Sequence, residues 1–265
     1  MKYGFIGAGN LGGAMIEGMV NGGAVKSDIY VFDKFTQADV TAAYGVNGAV
    51  SPEALVDAVD IVFVAVKPKD CAEVFAAVGA RLRGPQVVVS TAAGVALSDI
   101  DKMLGVTANT VRVMPNINAR YGYSATAVCS GAHADEASVE AVLACLRTFG
   151  EIYMIEENYF NVFAAVASCS PAFTYMYIDA LARAALKLGL NKKQAEQIAA
   201  QSVAGSAIAL ARSGRHPYEL VDAVCSPGGM TAEGVAELLD SDFISATMRA
   251  VEVSALKDKS LLKRG

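Results

Sequence analysis

The pattern of apolar and polar positions divides the chain in two. Up to about residue 155, apolar runs of strand length alternate with stretches of helical spacing. Tyr3–Ile6 and Ile29–Phe32 read as strands. Ile61–Val66, Gln86–Thr91 and Thr110–Met114 are further apolar runs, as expected of parallel strands covered on both faces. Between them, 36–43 has helical spacing, 46–50 suits a short strand, and 52–58 suits a helix with Ser51 as its cap and Pro52 at its first position. Past Glu156 the strand signals stop. Residues 158–189 read as one long apolar helix, kinked at Pro171 and ended by Gly189. Helices over 192–212, from Pro217, over 232–239 and over 241–263 follow. The long helix is apolar nearly all round, more than this half can cover alone, which predicts burial against a second copy of the chain.

The first strand breaks at Gly7-Ala8-Gly9-Asn10-Leu11-Gly12 and a helical pattern follows. This is the G-x-G-x-x-G turn of a dinucleotide-binding unit. Gly7 and Gly9 allow a tight turn and a close approach to a pyrophosphate, Gly12 lets helix and strand pack closely, and the helix's positive end faces the phosphates. Asp33 ends the second strand, 21 positions past Gly12 (33 − 12), where a ribose-binding acid is expected. In a doubly wound sheet, ligands sit beyond the carboxyl ends of the strands. The ends at 7–12, 66–68, 92–94 and 114–116 therefore nominate one crevice. Lys67 read alone also fits a solvated strand end, and Asn116 a turn residue bonding its own backbone. The expected architecture is an α/β Rossmann-type dinucleotide-binding domain over residues 1–155, followed by an all-α helical dimerisation domain over 156–265.

Composition narrows the partners. Hydrophobic residues make up 54% and charged residues 18%, which fits a globular chain of two domains. A net charge of −5 gives no reason to expect nucleic acid. Five cysteines with no C-x-x-C spacing fit a reduced cytoplasm, and no basic segment precedes an apolar one as in a signal peptide. Residues 162–178 carry no charge, but polar residues, Pro171 and the absence of Lys or Arg flanks favour a helix buried in protein over a membrane span. No metal site is expected. His133 reads as a surface loop and His216 as a helix start, so neither is a catalytic candidate. Lys257–Arg264 reads as a solvated basic helix end.

Between predicted helices lies Cys225-Ser226-Pro227-Gly228-Gly229-Met230-Thr231. Pro-Gly-Gly before a helix start places free N–H groups and two hydroxyls at the helix's positive end, which suits a small carboxylate. The same pattern also serves an ordinary capped turn.

The chain resembles the pyrroline-5-carboxylate reductase family along essentially its whole length. The resemblance is carried by GFIGAGNLGGAM at 4–15, AVKP at 65–68, STAAG at 90–94, RVMPN at 112–116, SPAF at 170–173, HPYEL at 216–220 and, most specifically, CSPGGMTAEG at 225–234. It implies reduction of a cyclic imine carboxylate to proline with NADPH or NADH. By position it implies that Gly7, Gly9, Asn10, Leu11 and Gly12 hold the dinucleotide, that Ala65, Lys67 and Pro68 line its ribose and nicotinamide side, and that Ala93, Gly94, Met114 and Asn116 lie nearby. Ser226, Gly228, Gly229 and Thr231 would hold the substrate, with the Thr231 hydroxyl against the ring nitrogen. Dimers through the helical domain, and decamers built from them, are implied as well.

Three departures surround that site. Ile117-Asn118 replaces the family's Thr-Pro, Ser168-Cys169-Ser170 replaces Gly-Ser-Gly, and Met230 replaces the first threonine of SPGGTT. They keep open a reductase of another cyclic imine, such as the six-membered piperideine carboxylate. A non-catalytic NAD(P)-binding protein is a second alternative. A β-hydroxyacid-type dehydrogenase would need a lysine in a G-x-x-G-x-x-x-K pattern, and 158–190 offers only Lys187 without it. Asp33 favours NADH, whereas Lys34 beside it offsets repulsion of a 2′-phosphate.

Overall fold

The apolar runs line up as the central strands of one eight-stranded sheet. The computed structural model describes residues 1–262, with the backbone alone for 258–262. The strands are β1 (Tyr3–Ile6), β2 (Ile29–Phe32), β3 (Asn47–Gly48), β4 (Ile61–Val64), β5 (Val87–Ser90), β6 (Asn109–Met114), β7 (Ser124–Ser130) and β8 (Gly150–Met154). Their order is β3-β2-β1-β4-β5-β6-β7-β8. Pairing is parallel from β3 through β6, antiparallel between β6 and β7, and parallel again between β7 and β8.

Alternate strand residues feed two cores. Phe5, Ile61, Phe63, Val87 and Val89 face one side, where they meet Met15, Ile16 and Met19 of α1 (Asn10–Asn21) and Val142 and Leu146 of α6 (Glu136–Leu146). The Phe5 and Phe63 rings stack with centroids 4.6 Å apart. Ile6, Val62, Val64 and Val88 face the other side, against α3 (Pro52–Ala58), α4 (Cys71–Gly79) and α5 (Leu97–Leu104). Burial on both faces is why these runs lack polar alternation. The helix α2 (Gln37–Tyr44) joins β2 to β3.

The helical half differs from expectation at its start. Instead of one helix over 158–189 there is a short α7 (Phe160–Phe163), a π-turn (Ala164–Ser168), and then α8 (Ser170–Lys187) with Pro171 in its first turn. Proline tolerates a first turn because the N–H it lacks has no intrahelical partner there, so the interruption falls just ahead of it and not at a mid-helix kink. The remaining helices are α9 (Lys192–Ser213), α10 (Pro217–Val224), α11 (Met230–Asp240) and α12 (Phe243–Leu262). Lys263 and the rest of the basic tail to Arg264 lie outside the described residues. His216 does cap a helix, its Nδ1 accepting from the Tyr218 N–H at 3.2 Å, and His133 is exposed in a turn.

The chain forms two compact units. One comprises Met1–Ser168 together with the chain from Ser254 onward, and the other is Cys169–Val253. Within the second unit α8 and α9 pack together, yet α9 buries only Ala195 and Ala199. Among the described residues no helix is long and apolar enough to cross a membrane, and no cluster of His, Cys, Asp or Glu could hold a metal ion.

Candidate active site

Beyond the carboxyl ends of β1, β2 and β4 lies a groove of about 570 Å³. Gly7, Gly9, Asp33, Ala65 and Lys67 line it, together with Lys34, Phe35 and Thr36 after β2 and Lys69 after β4. Gly7 makes the turn possible with a φ of 100°, and a Cβ there would lie 2.5 Å from the Ala65 carbonyl oxygen. At Gly12 a Cβ would come within 2.2 Å of the Gly7 carbonyl oxygen. Around Gly9, by contrast, nothing lies within 4 Å of where a Cβ would stand. The loop is therefore tight against the sheet and open towards the groove. Gly9 caps α1 with no side-chain hydrogen bond and no acid stands in the first turn, so the N–H groups of Asn10, Leu11 and Gly12 are left without intrahelical partners. Those donors at a positive helix end suit a pyrophosphate. The chain's own residues fit a dinucleotide here.

Asp33 has a task inside the protein. Its Oδ2 accepts from the Ala8 N–H at 2.8 Å, and its Oδ1 accepts from Phe35 and Thr36 N–H at 2.8 and 2.9 Å. The Thr36 hydroxyl donates to the Ala8 carbonyl at 3.0 Å. Burial would raise the Asp33 pKa, but the backbone N–H groups of Ala8, Phe35 and Thr36 outweigh it and hold the carboxyl below its ordinary value. Three of the roughly four acceptor positions of a carboxylate are thereby filled. Asp33 thus ties the glycine loop to the β2 turn, a role that spacing alone did not suggest.

Other nominated residues stand elsewhere in the same unit. Pro68 opens a short 3₁₀ turn after Lys67, and Ala93 and Gly94 form the turn after β5, with Ala93 exposed. Met114 is buried in a small cluster with Ala127 and Phe160. Asn116 is 5% exposed, with Oδ1 accepting from the Asn118 N–H at 3.0 Å and Nδ2 donating to the Ala167 carbonyl at 2.9 Å. Neither side chain lines the groove. One pair escaped sequence reasoning altogether. Arg112 Nη1 of β6 lies 2.8 Å from Glu157 Oε1, which also accepts the Leu97 N–H at 2.7 Å, and the guanidinium sits 4.6 Å from the Phe160 ring centre.

In the second unit, Ser226 to Thr231 form the turn into α11. Gly228 has a φ of 68°, the Gly229 N–H donates to the Ser226 carbonyl at 2.9 Å, and Gly229 caps the helix. A Cβ at Gly229 would meet Ser226 Oγ at 2.4 Å, so only glycine admits that hydroxyl so close to the helix start. Ser226 is exposed and Thr231 half-buried, with no hydrogen-bond partner for the Thr231 hydroxyl among the described residues. Met230 is 91% exposed.

A glycine loop opening onto an uncapped helix, at the ends of parallel strands, defines the nucleotide-binding unit of an NAD(P)-dependent oxidoreductase. Residues 157–261 match the family described as pyrroline-5-carboxylate reductase dimerisation, and residues 2–94 match NADP oxidoreductase, coenzyme F420-dependent. The pyrroline-5-carboxylate reductase of Escherichia coli (strain K12) is 36% identical over 267 residues, covering 99% of this chain and 98% of its own. That of Aquifex aeolicus is 35% identical over 263 residues, 98% of this chain and 97% of its own. The crystal structure of Plasmodium falciparum pyrroline carboxylate reductase with NADP bound superposes with a TM-score of 0.90 at 27% identity, covering 99% of this chain and 98% of the other. The chain belongs to the pyrroline-5-carboxylate reductase family.

Proposed function

We propose that this chain reduces pyrroline-5-carboxylate to L-proline, the last step of proline biosynthesis, with residues 1–155 binding NAD(P)H and residues 156–265 providing the substrate loop and the dimer contact. The observation that carries the reading is the groove at Gly7–Gly12, joined in one chain to a helix-start loop that keeps Ser226, Gly228, Gly229 and Thr231. When bound, the nicotinamide cofactor supplies the hydride that reduces the C=N bond. The N–H groups at the start of α1 hold the pyrophosphate, and Ala65, Lys67 and Pro68 flank the adjoining ribose. In the other unit, the first N–H groups of α11 and the Ser226 hydroxyl bind the substrate carboxylate. The Thr231 hydroxyl orients the ring nitrogen, and holding both reactants is the main demand on the protein, because the imine carbon is already electrophilic.

Both cofactors are substrates in this reading, with NADPH preferred. Asp33 is occupied by its own loop, and Lys34 beside it lines the groove, where a 2′-phosphate gains from a cation. The active form is a homodimer through the helical unit, with decamers a further step, and it works in the cytoplasm. Support for the dimer is the apolar surface of that unit, including Met176, Leu186, Ile198 and Met248.

The test is cofactor oxidation with the five- and six-membered imine carboxylates, each with NADPH and NADH. Faster turnover of the five-membered ring is expected, with Thr231→Ala losing about tenfold or more in kcat/KM and Thr231→Ser retaining most of it. Turnover of neither ring, by protein that still binds NADPH, overturns the reading.

A further inference from the structure

Asn116 stands at the end of β6 in a motif that the resemblance assigns to the cofactor side, yet its amide faces into the protein. The carbonyl it reaches explains why. In an uninterrupted helix the Ala167 carbonyl would accept the N–H of residue 171, and residue 171 is proline. The π-turn over Ala164–Ser168 ends at this point, and the Ala172 N–H turns to the Cys169 carbonyl at 3.0 Å. Asn116 Nδ2 fills the gap, donating to the Ala167 carbonyl at 2.9 Å. A second bond runs alongside, from the Ser168 hydroxyl to the Pro115 carbonyl at 3.4 Å. Asn116 is itself fixed, because its N–H donates to Ser124 Oγ at 3.2 Å and its Oδ1 accepts the Asn118 N–H at 3.0 Å.

We infer that Asn116 is a positioning residue that clasps the π-turn through the carbonyl orphaned by Pro171, and so fixes the chain where it leaves the nucleotide-binding unit. It is not a cofactor ligand. Both amide atoms are engaged within the protein and the side chain is 5% exposed, so little of it is open to a bound nicotinamide. The π-turn ends at Ser168, where the first unit gives way to the second, and such turns recur at functional sites. Asn116 and Pro171 are coupled: the proline creates the need that the asparagine meets.

The inference rests on the reductase reading above, and the test separates the two. Asn116→Asp keeps the acceptor for Asn118 and removes the donor to Ala167; Asn116→Ala removes both. In each variant NADPH binding, followed by cofactor fluorescence, stays within about twofold of the parent, while kcat falls about tenfold and the imine KM rises, the scale of one lost buried hydrogen bond. Adding Pro171→Ala to Asn116→Asp returns an N–H to the Ala167 carbonyl and recovers most of the loss. Hydrogen exchange over 164–172 reads the clasp without any turnover: protection falls in Asn116→Asp and returns in the double variant. If the parent reduces no imine, the reductase reading fails while the exchange result still decides the clasp. A tenfold weaker NADPH affinity with unchanged kcat makes Asn116 a cofactor ligand and overturns the inference. So does unchanged exchange in Asn116→Asp, or a folded double variant with no recovery.

Discussion

Replacing Glu157 by alanine should destabilise the protein more than any surface charge change, and the structure sets the size of the effect. Arg112 is 6% exposed at its side chain and Glu157 30%, so the pair lies largely out of water. Arg112 Nε already lacks a hydrogen-bond partner, which leaves Glu157 to balance the guanidinium charge from one side and the Phe160 ring from the other. Removing one member of a buried pair costs about 3–5 kcal/mol, because the remaining ion is left uncompensated. The partial exposure of Glu157 and the surviving ring contact place this case at about 3 kcal/mol. Loss of the acceptor for the Leu97 N–H adds up to about 1 kcal/mol at the start of α5. Urea unfolding at fixed protomer concentration measures it, as a lower midpoint at unchanged slope. The double variant Arg112→Met, Glu157→Ala removes both charges and should regain all but about 1 kcal/mol. A loss under about 1 kcal/mol in the single variant, or a double variant at least as unstable, would refute the assignment of this pair as a buried clamp.

Two further outcomes follow from the glycine loop. Gly12→Ala places a Cβ where the Gly7 carbonyl oxygen lies 2.2 Å away, so NADPH affinity should fall at least about tenfold while the fold is retained; calorimetry on the purified variant checks it, and parent-like binding contradicts the close approach. Asp33→Asn should cost about 1–2 kcal/mol at pH 7 through the bonds to Ala8, Phe35 and Thr36. Because the native carboxyl titrates below its unfolded value, the stabilisation is complete above the ordinary carboxylate range and fades as pH falls through the lower native value. The gap in Tm between parent and variant should therefore be flat from pH 7 to about 5 and close below about pH 4; a gap that widens in acid reverses the sign and rejects the argument.

How far the sequence could be read depended on what each segment buries. The strands β1, β4 and β5 were legible because burial on both faces leaves apolar runs, β2 and β6 because their runs are nearly apolar, Arg112 of β6 being buried through its pairing with Glu157, and α3 because Ser51 accepts the Ala54 N–H at 3.2 Å as a cap should. The strand β7, with sequence SATAVCS, mixes small polar residues among apolar ones, and β8 at the sheet edge is largely exposed, so neither presents an apolar run. In Ala164–Ser168 the small residues AAVAS carry no mark of a π-turn; Pro171 announced a disturbance but not that it would precede the proline.

Chemistry was legible by residue type and position, and less so by what each side chain holds. Asp33 and Asn116 both stand where ligand-binding groups are expected, and both direct their polar atoms at backbone: Asp33 at the glycine loop, Asn116 at a carbonyl left open by a proline 55 positions away (171 − 116). Such bonds join segments far apart in the chain, so no local spacing reveals them. They also give those residues a physical reason to be what they are without touching a ligand. A buried acceptor without its donor costs about 1–3 kcal/mol, as much as many direct ligand contacts contribute. The glycine loop at Gly7–Gly12 presents backbone N–H groups, and the turn at Ser226–Thr231 presents backbone N–H groups and hydroxyls. Those donors are only as well aimed as the turns that carry them, and Asp33 holds the first of those turns through the Ala8 N–H.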